Sequence, residues 1–568
     1  MRHQSLPSMC AIAALCLSGP AFAQGFGDNG GSESQSGGQS ESDGSADNAK
    51  GSRKRSGPAV QFAPYIEVSQ IVVAELSPGD DVVTYTQVAA GVDASINGRN
   101  NGGSVSLRYE RNIGYGDNAI DSGTLSGIAR GYATIIPQAL TLEAGGLASK
   151  TNVDGNSGSS LDALARTNSE SRIYSVYAGP NLHTSTGDVE INANYRIGYT
   201  RVEAPGAIVT AGGITPVDVF DDSVVQSAKV HAATRPGDPL PVGIGLGAGW
   251  TQEDISNFDQ RVRDTYIRGD VTVPVGRSIA VVGGVGYEDV EVSGRDALLD
   301  SAGDPVIGSD GRYVTDKSVP RQLAYDVSGL IWDVGVVWRP STRTSLEAHV
   351  GRRYDSTSYY GTFSWAPDSR SGVNVSVYSS ISGFGSQLNT ALANLPTEFS
   401  ATRNALTGDL GGCVSSTQGN NCLSGVLGSV RSAAYRSRGI AASYSTSVGR
   451  MNAGVGAGYD RRSFIAAQGT VLGAANGVLD ENYWVALYLD GELGPNAGFS
   501  ANTYTSWLNS GFNNTGDVLS VGASAAYQRR LLRGLSARAA LALDYLDNSL
   551  SDEDLTAASA LVGLRYDF

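Results

Sequence analysis

Residues 556–568 place Ala558, Ala560, Val562, Leu564, Tyr566 and Phe568 on one set of alternate positions, and Ser559, Leu561, Gly563, Arg565 and Asp567 on the other. A period of two is that of a β-strand, whose successive side chains point to opposite faces. One face of this strand is therefore apolar and ends in two aromatics, and the other is mostly polar. A closed sheet with lipid outside and water inside satisfies both faces. The last strand of a soluble sandwich shares the period and is the alternative.

Beyond residue 23 no run of about 18 apolar residues occurs, so no helix is expected to cross a bilayer, and membrane residence requires a closed sheet. With 73 Gly, 26 Tyr and 17% charged residues, the composition suits a barrel that is polar within and apolar without. A net charge of −15 argues against nucleic acid as a partner, because phosphate would be repelled.

From Val60 onward about 22 candidate strands can be counted, and their connections alternate between short and long. Short ones are expected at 98–102, 137–138, 185–187, 235–241, 275–277, 339–342, 368–371, 448–450, 494–496 and 532–534. Longer, often acidic ones are expected at 150–170, 203–222, 293–324, 383–435, 466–478 and 548–555. Such parity is the rule for outer-membrane barrels, with short turns in the periplasm and long loops outside.

Single strands carry the same two faces. Over 189–200 the outward set reads Val189, Ile191, Ala193, Tyr195, Ile197, Tyr199 and the inward set Glu190, Asn192, Asn194, Arg196, Gly198, Thr200. Likewise Val105, Leu107 and Tyr109 oppose Arg108 and Glu110; Leu346, Ala348 and Val350 oppose Glu347 and His349; Leu541, Leu543 and Tyr545 oppose Ala542 and Asp544. Trp332 and Trp338 flank Val334 and Val336, as an interfacial aromatic belt would.

The ends agree with export. Residues 1–23 have a basic start at Arg2, an apolar run and Ala21-Phe22-Ala23 before Gln24, and read as a cleaved signal peptide. Residues 24–59, rich in Gly, Ser and acidic residues, read as a disordered periplasmic tail, too poor in apolar residues to form a folded plug. The barrel is expected over 60–568. Cys413 and Cys422 are the cysteines left after leader removal, and their spacing in an exported chain points to a disulfide.

Chemistry is sparse. No Gly-x-Ser-x-Gly, His-Glu-x-x-His or phosphate-cradling loop is present, and neither a metal set nor a cofactor motif is expected. His349 beside Glu347 is half of an acid–base pair or simply lumen polarity. Arg108, Glu110, Glu190, Arg196, Glu347, His349, Arg538, Asp544 and Arg565 all read as lumen charges. Facing rows would set a transverse field, whereas local pairs would keep the wall wet and stiff.

The terminal Phe568, with Tyr566, Leu564 and Val562 at alternate positions before it, resembles the C-terminal signal by which bacterial outer-membrane barrels are recognised by the barrel-assembly machinery. In the segments 64–68, 88–94, 174–180 and 195–199 the chain also resembles alphaproteobacterial outer-membrane proteins often labelled preprotein translocase subunit YajC. These motifs are strand segments, without catalytic residues, and lie mainly in the first third of the barrel.

Together these features lead to an all-β transmembrane antiparallel barrel in the outer membrane of a Gram-negative cell, in contact with its lipid. The expected role is a passive or gated pore for small hydrophilic solutes; a non-conducting structural or export-associated barrel is the alternative. The connection 383–435 has apolar residues of its own: Leu388, Leu392 and Leu395 at helical spacing before Pro396, then Leu423, Val426, Leu427 and Val430. An exposed apolar stripe needs something to pack on, so this connection is expected either to fold into the lumen or to form a lid on the surface.

Overall fold

The computed structural model describes residues 59–568 except 116–121, 151–170, 209–216, 238, 405, 407, 409, 417–418, 424–426, 428–429, 431–432, 513–515 and 550–553. The expected leader peptide, and all of the expected tail but Ala59, lie outside the described residues.

The first strands are β1 (Ala59–Ser77), β2 (Val82–Asn97), β3 (Asn101–Tyr115), β4 (Ser122–Ile136), β5 (Leu140–Lys150), β6 (Arg172–Thr186), β7 (Val189–Ile208) and β8 (Val217–Thr234). They are followed by β9 (Gly243–Ile255), β10 (Gln260–Pro274), β11 (Ile279–Gly294), β12 (Gln322–Ser341), β13 (Thr344–Arg353), β14 (Ser356–Trp365) and β15 (Ser371–Ser382). A helix, α1 (Phe384–Ala393), and three short strands, β16 (Ser400–Arg403), β17 (Leu410–Ser416) and β18 (Gly419–Cys422), come next. The chain then completes the wall with β19 (Tyr435–Val448), β20 (Met451–Phe464), β21 (Leu479–Gly494), β22 (Ala497–Ser510), β23 (Val518–Leu532), β24 (Leu535–Asn548) and β25 (Leu555–Asp567).

All but β16–β18 form one 22-stranded sheet, and β1 pairs antiparallel with both β2 and β25, so the sheet closes on itself. Closure removes the open edge that a sheet of this size would otherwise leave unpaired. The terminal strand thus does what its two faces require: Val562, Leu564, Tyr566 and Phe568 point out, while Leu561 and Arg565 point in beside β1.

Each short connection lies between strands where the sequence placed it, and all are at one end of the barrel, together with the start of β1 and the end of β25. At the other end the long connections 295–321, 383–434 and 465–478 gather. That end is not uniformly long, because β13 and β14 are joined through Tyr354 and Asp355 alone, both at positive φ. Such a turn matches the twist of a hairpin but is costly for non-glycine residues. Burial supports it: Tyr354 is 1% exposed, its hydroxyl donates to Asp264 (2.9 Å), and Tyr325 donates to its carbonyl (2.9 Å).

Over this low hairpin the tops of β15 and β19 lean inward. Ile381, in step with the outward Val377, packs against the inner-face residues Val262, Val290 and Val292, and Arg436 and Arg438 donate to carbonyls of the hairpin. The lean carries the end of β15 over the lumen, where the next segment begins.

The outer face is apolar through its middle, with Val68, Leu107, Ile197, Leu246, Val285, Val334, Val350 and Leu541 exposed. Phe62, Trp365, Tyr444, Tyr527, Tyr566 and Phe568 ring it toward the turn end, and Tyr109, Tyr287, Tyr359, Tyr483 and Trp507 toward the loop end. Trp332, Val334 and Val336 are exposed on one face of β12, with Trp338 partly so, as their spacing indicated.

Candidate functional site

After Ser382 the chain does not return along the wall but turns into the lumen, and the described residues of 383–434 pack there against inner-face residues. The helix α1 follows from its pattern: Leu388, Leu392 and Leu395 fall on one side, and all three are buried against Ile128, Leu147, Ile173, Tyr177, Val202 and Ile255 of β4 to β9. Each leucine so covered contributes roughly 2 kcal/mol relative to exposure in water. Leu423, Leu427 and Val430 belong to the same cluster, whereas Val426 lies outside the described residues.

The start of α1 carries Gly383 at its N-cap, which has no side chain to satisfy the free amides of a first helical turn. The wall supplies the acceptor. Glu253 of β9, 1% exposed, accepts from the amides of Gly383 (2.8 Å), Gly385 (3.0 Å) and Ser386 (3.3 Å) and from the Ser223 hydroxyl (2.7 Å). One turn on, the amide of Asn389 donates to Thr200 (3.3 Å) and accepts from Ser175 (3.3 Å).

Further along, Arg403 donates to Ser126 (2.7 Å) and to the Ser106 carbonyl (3.1 Å), and the Phe399 amide donates to Ser104 (3.2 Å). Gly408, at φ +69, sits against Arg108 and Glu110, where a side chain would strike both. Leu406 is buried among Ile71, Val73, Val83, Tyr85 and Leu561 near the seam between β1 and β25. On the far side β18 rests against β15, β19 and β20. The segment therefore crosses the lumen from the β1–β9 wall to the β15–β20 wall. Of the two expectations for 383–435, folding inward is the one observed. Cys413 and Cys422 stand directly opposite each other in the β17–β18 pair.

The anticipated charges lie on the inner wall, and most of them pair locally. Arg108 donates to Glu67 (3.0 Å), Glu110 (3.1 Å) and Gln87 (2.8 Å), and Arg538 reaches the same Glu67 (3.2 Å). Arg565 pairs with Asp567 (2.8 Å) and lies 3.6 Å above the Tyr65 ring. Arg196 pairs with Glu143 (2.8 Å), which Arg130 also reaches, and Glu190 pairs with Arg235 at the turn end. Asp544 is buried on β24.

Both ring nitrogens of His349 face carboxylates, Asp333 at 2.9 Å and Glu347 at 3.3 Å, and Tyr360 stacks on the ring at 4.6 Å. Asp333 in turn accepts two bonds from Arg268, which also reaches Asp270, itself 3.0 Å from His231. Opposite signs are thus intermixed along single strands and between neighbouring ones instead of forming facing rows. Among the described residues no group of three or more His, Cys, Asp or Glu is disposed to hold a metal ion.

Glu253, Glu67, Asp333 and Arg403 escape a reading of the sequence. Inward parity was the available signal for the first three, but nothing local distinguishes Glu253 from other inward acids. Its partners at the start of α1 lie 130 residues and more downstream.

No family model matches the sequence, and no curated protein is detectably similar to it. Solved structures similar in fold include the FrpB iron transporter from Neisseria meningitidis, with a TM-score of 0.42 and 11% identity over 89% of this chain and 81% of that one. The siderophore receptor PiuA from Acinetobacter baumannii matches with a TM-score of 0.41 and 10% identity over 89% and 82%. The ferric-catecholate import receptor Fiu from E. coli K12 matches with a TM-score of 0.41 and 10% identity over 88% and 81%.

Proposed function

We propose that the protein is an outer-membrane barrel whose lumen is a gated pore for small hydrophilic solutes, closed by its own segment 383–434. The observation that carries this reading is the docking of that segment across a polar, charge-paired lumen. A barrel of about 22 strands encloses a lumen wider than side chains alone fill. Apolar girdled walls, turns at one end with the start of β1 and the end of β25, and loops at the other support an orientation with the turn end in the periplasm. The C-terminal residues Val562 to Phe568 would then be read by the assembly machinery, and residues 1–23 removed on export.

Cys413 and Cys422 would be joined in the periplasm. Directly opposed residues of an antiparallel pair have Cα atoms about 4.5–5.5 Å apart, within the span of about 4.4–6.8 Å that a disulfide bridges.

Replacing 386–429 by a short Gly-Ser linker tests the function. The refolded variant is expected to conduct in planar bilayers with a clearly larger and steadier conductance than the parent. The tightness of the same packing also suits a non-conducting structural or export-associated barrel. A linker variant that migrates as a folded barrel yet carries no current would select that second role.

A further inference from the structure

A segment that closes a pore must be held closed by something, and one wall residue holds the entry of this one. Glu253 places both carboxylate oxygens on uncharged donors: the amides of Gly383, Gly385 and Ser386 and the Ser223 hydroxyl. No cation is among its described partners. A buried carboxylate is costly unless its hydrogen bonds are made, and here most of them come from the start of α1. The negative charge also faces the positive end of the helix dipole.

The interface is built without slack. A side chain at Gly385 would lie 2.2 Å from Ser223 Oγ, and one at Gly198 would lie 2.5 Å from the Asn389 amide, so glycine at both positions lets helix and wall approach. Helix and carboxylate depend on each other: if α1 leaves, Glu253 keeps only Ser223 among these partners, and without Glu253 three amides are left to find water.

We propose that Glu253 is the latch of the pore, a positioning residue that keeps α1 docked and the lumen closed. Loss of its charge frees α1 and opens the lumen. The inference rests on the gated-pore reading, and its tests separate the two. Full-length protein carrying Glu253→Gln or Glu253→Ala is compared with the parent, with the 386–429 linker variant, and with Glu291→Gln, which neutralises an outward carboxylate paired with Arg263. Heat-modifiable migration establishes that each barrel has formed.

In single-channel records Glu253→Ala is expected to raise the open-time fraction about tenfold or more, Glu253→Gln by less, and Glu291→Gln not at all. A conducting linker variant alongside Glu253 variants that gate like the parent overturns the latch and leaves the pore standing. Amide exchange of 384–393 decides the latch even where no current flows. Exchange about tenfold faster in Glu253→Ala, with wall strands unchanged, supports it, and parental exchange there overturns it. Should Glu253→Ala not assemble, the isosteric Glu253→Gln carries both measurements.

Discussion

Lumen-facing rings on this wall lie across from glycines on the next strand. Tyr65 covers Gly91, Tyr132 covers Gly102, Tyr177 covers Gly145, Tyr266 covers Gly249, Tyr378 covers Gly439, Trp484 covers Gly458 and Tyr504 covers Gly522, and each pair is in direct cross-strand register. A ring laid over a glycine shields backbone that has no side chain of its own. It also keeps the ring flat on the wall, so the lumen retains width for the docked segment. A Cβ at Gly458 would lie 2.5 Å from Trp484 Nε1. Gly458→Val should therefore push the indole off the wall and cost about 1–3 kcal/mol, read as a lower temperature for conversion of the folded to the unfolded band. The same substitution at Gly276, where nothing lies within 4 Å, should leave that temperature unchanged.

At the scale of elements, the two ends of the β11–β12 connection meet at one residue. Asp259, in the turn before β10, accepts from Arg295 (2.8 Å) and Arg321 (2.5 Å), which begin and end that connection. Burial alone would raise the Asp259 carboxyl, but the bonds from Arg295 and Arg321 outweigh it and hold the group below the usual carboxylate range. A depressed value means that the tie is fully present above the ordinary carboxyl value and lost as pH falls through the lowered one. Amide exchange over 295–321, corrected for its intrinsic pH dependence, should thus stay slow on mild acidification and quicken only at strongly acid pH. Asp259→Asn should quicken it already at neutral pH. The partnership was invisible in the sequence, where 293–324 reads only as a long acidic connection. By contrast the helix at 384–393 was legible, because the spacing of its leucines is a local property.

For the whole molecule the closed sheet dictates sidedness. Peptide tags inserted at Gly303 or Gly469, exposed at the loop end, should be cut by protease added to intact cells. Tags at Gly276 or Pro495, exposed at the turn end, should be protected until the outer membrane is breached. Equal cleavage of the two sets would refute the assigned orientation. What the sequence by itself determined is most of the strands, the face that most of their side chains take and the places of the short turns, since the period of two and the turn residues act within a few positions of chain; the expected connection 203–222 is shorter, because β7 and β8 run into it. Which groups meet inside the barrel was decided by the tertiary structure. Glu67 and Arg538 are 471 residues apart and become neighbours only when β1 and β25 close the sheet. Glu253 finds the start of α1 only where the end of β15, 130 residues on, is brought beside β9 inside the barrel. Closure and lean are products of the whole ring of strands, and no stretch of sequence contains them.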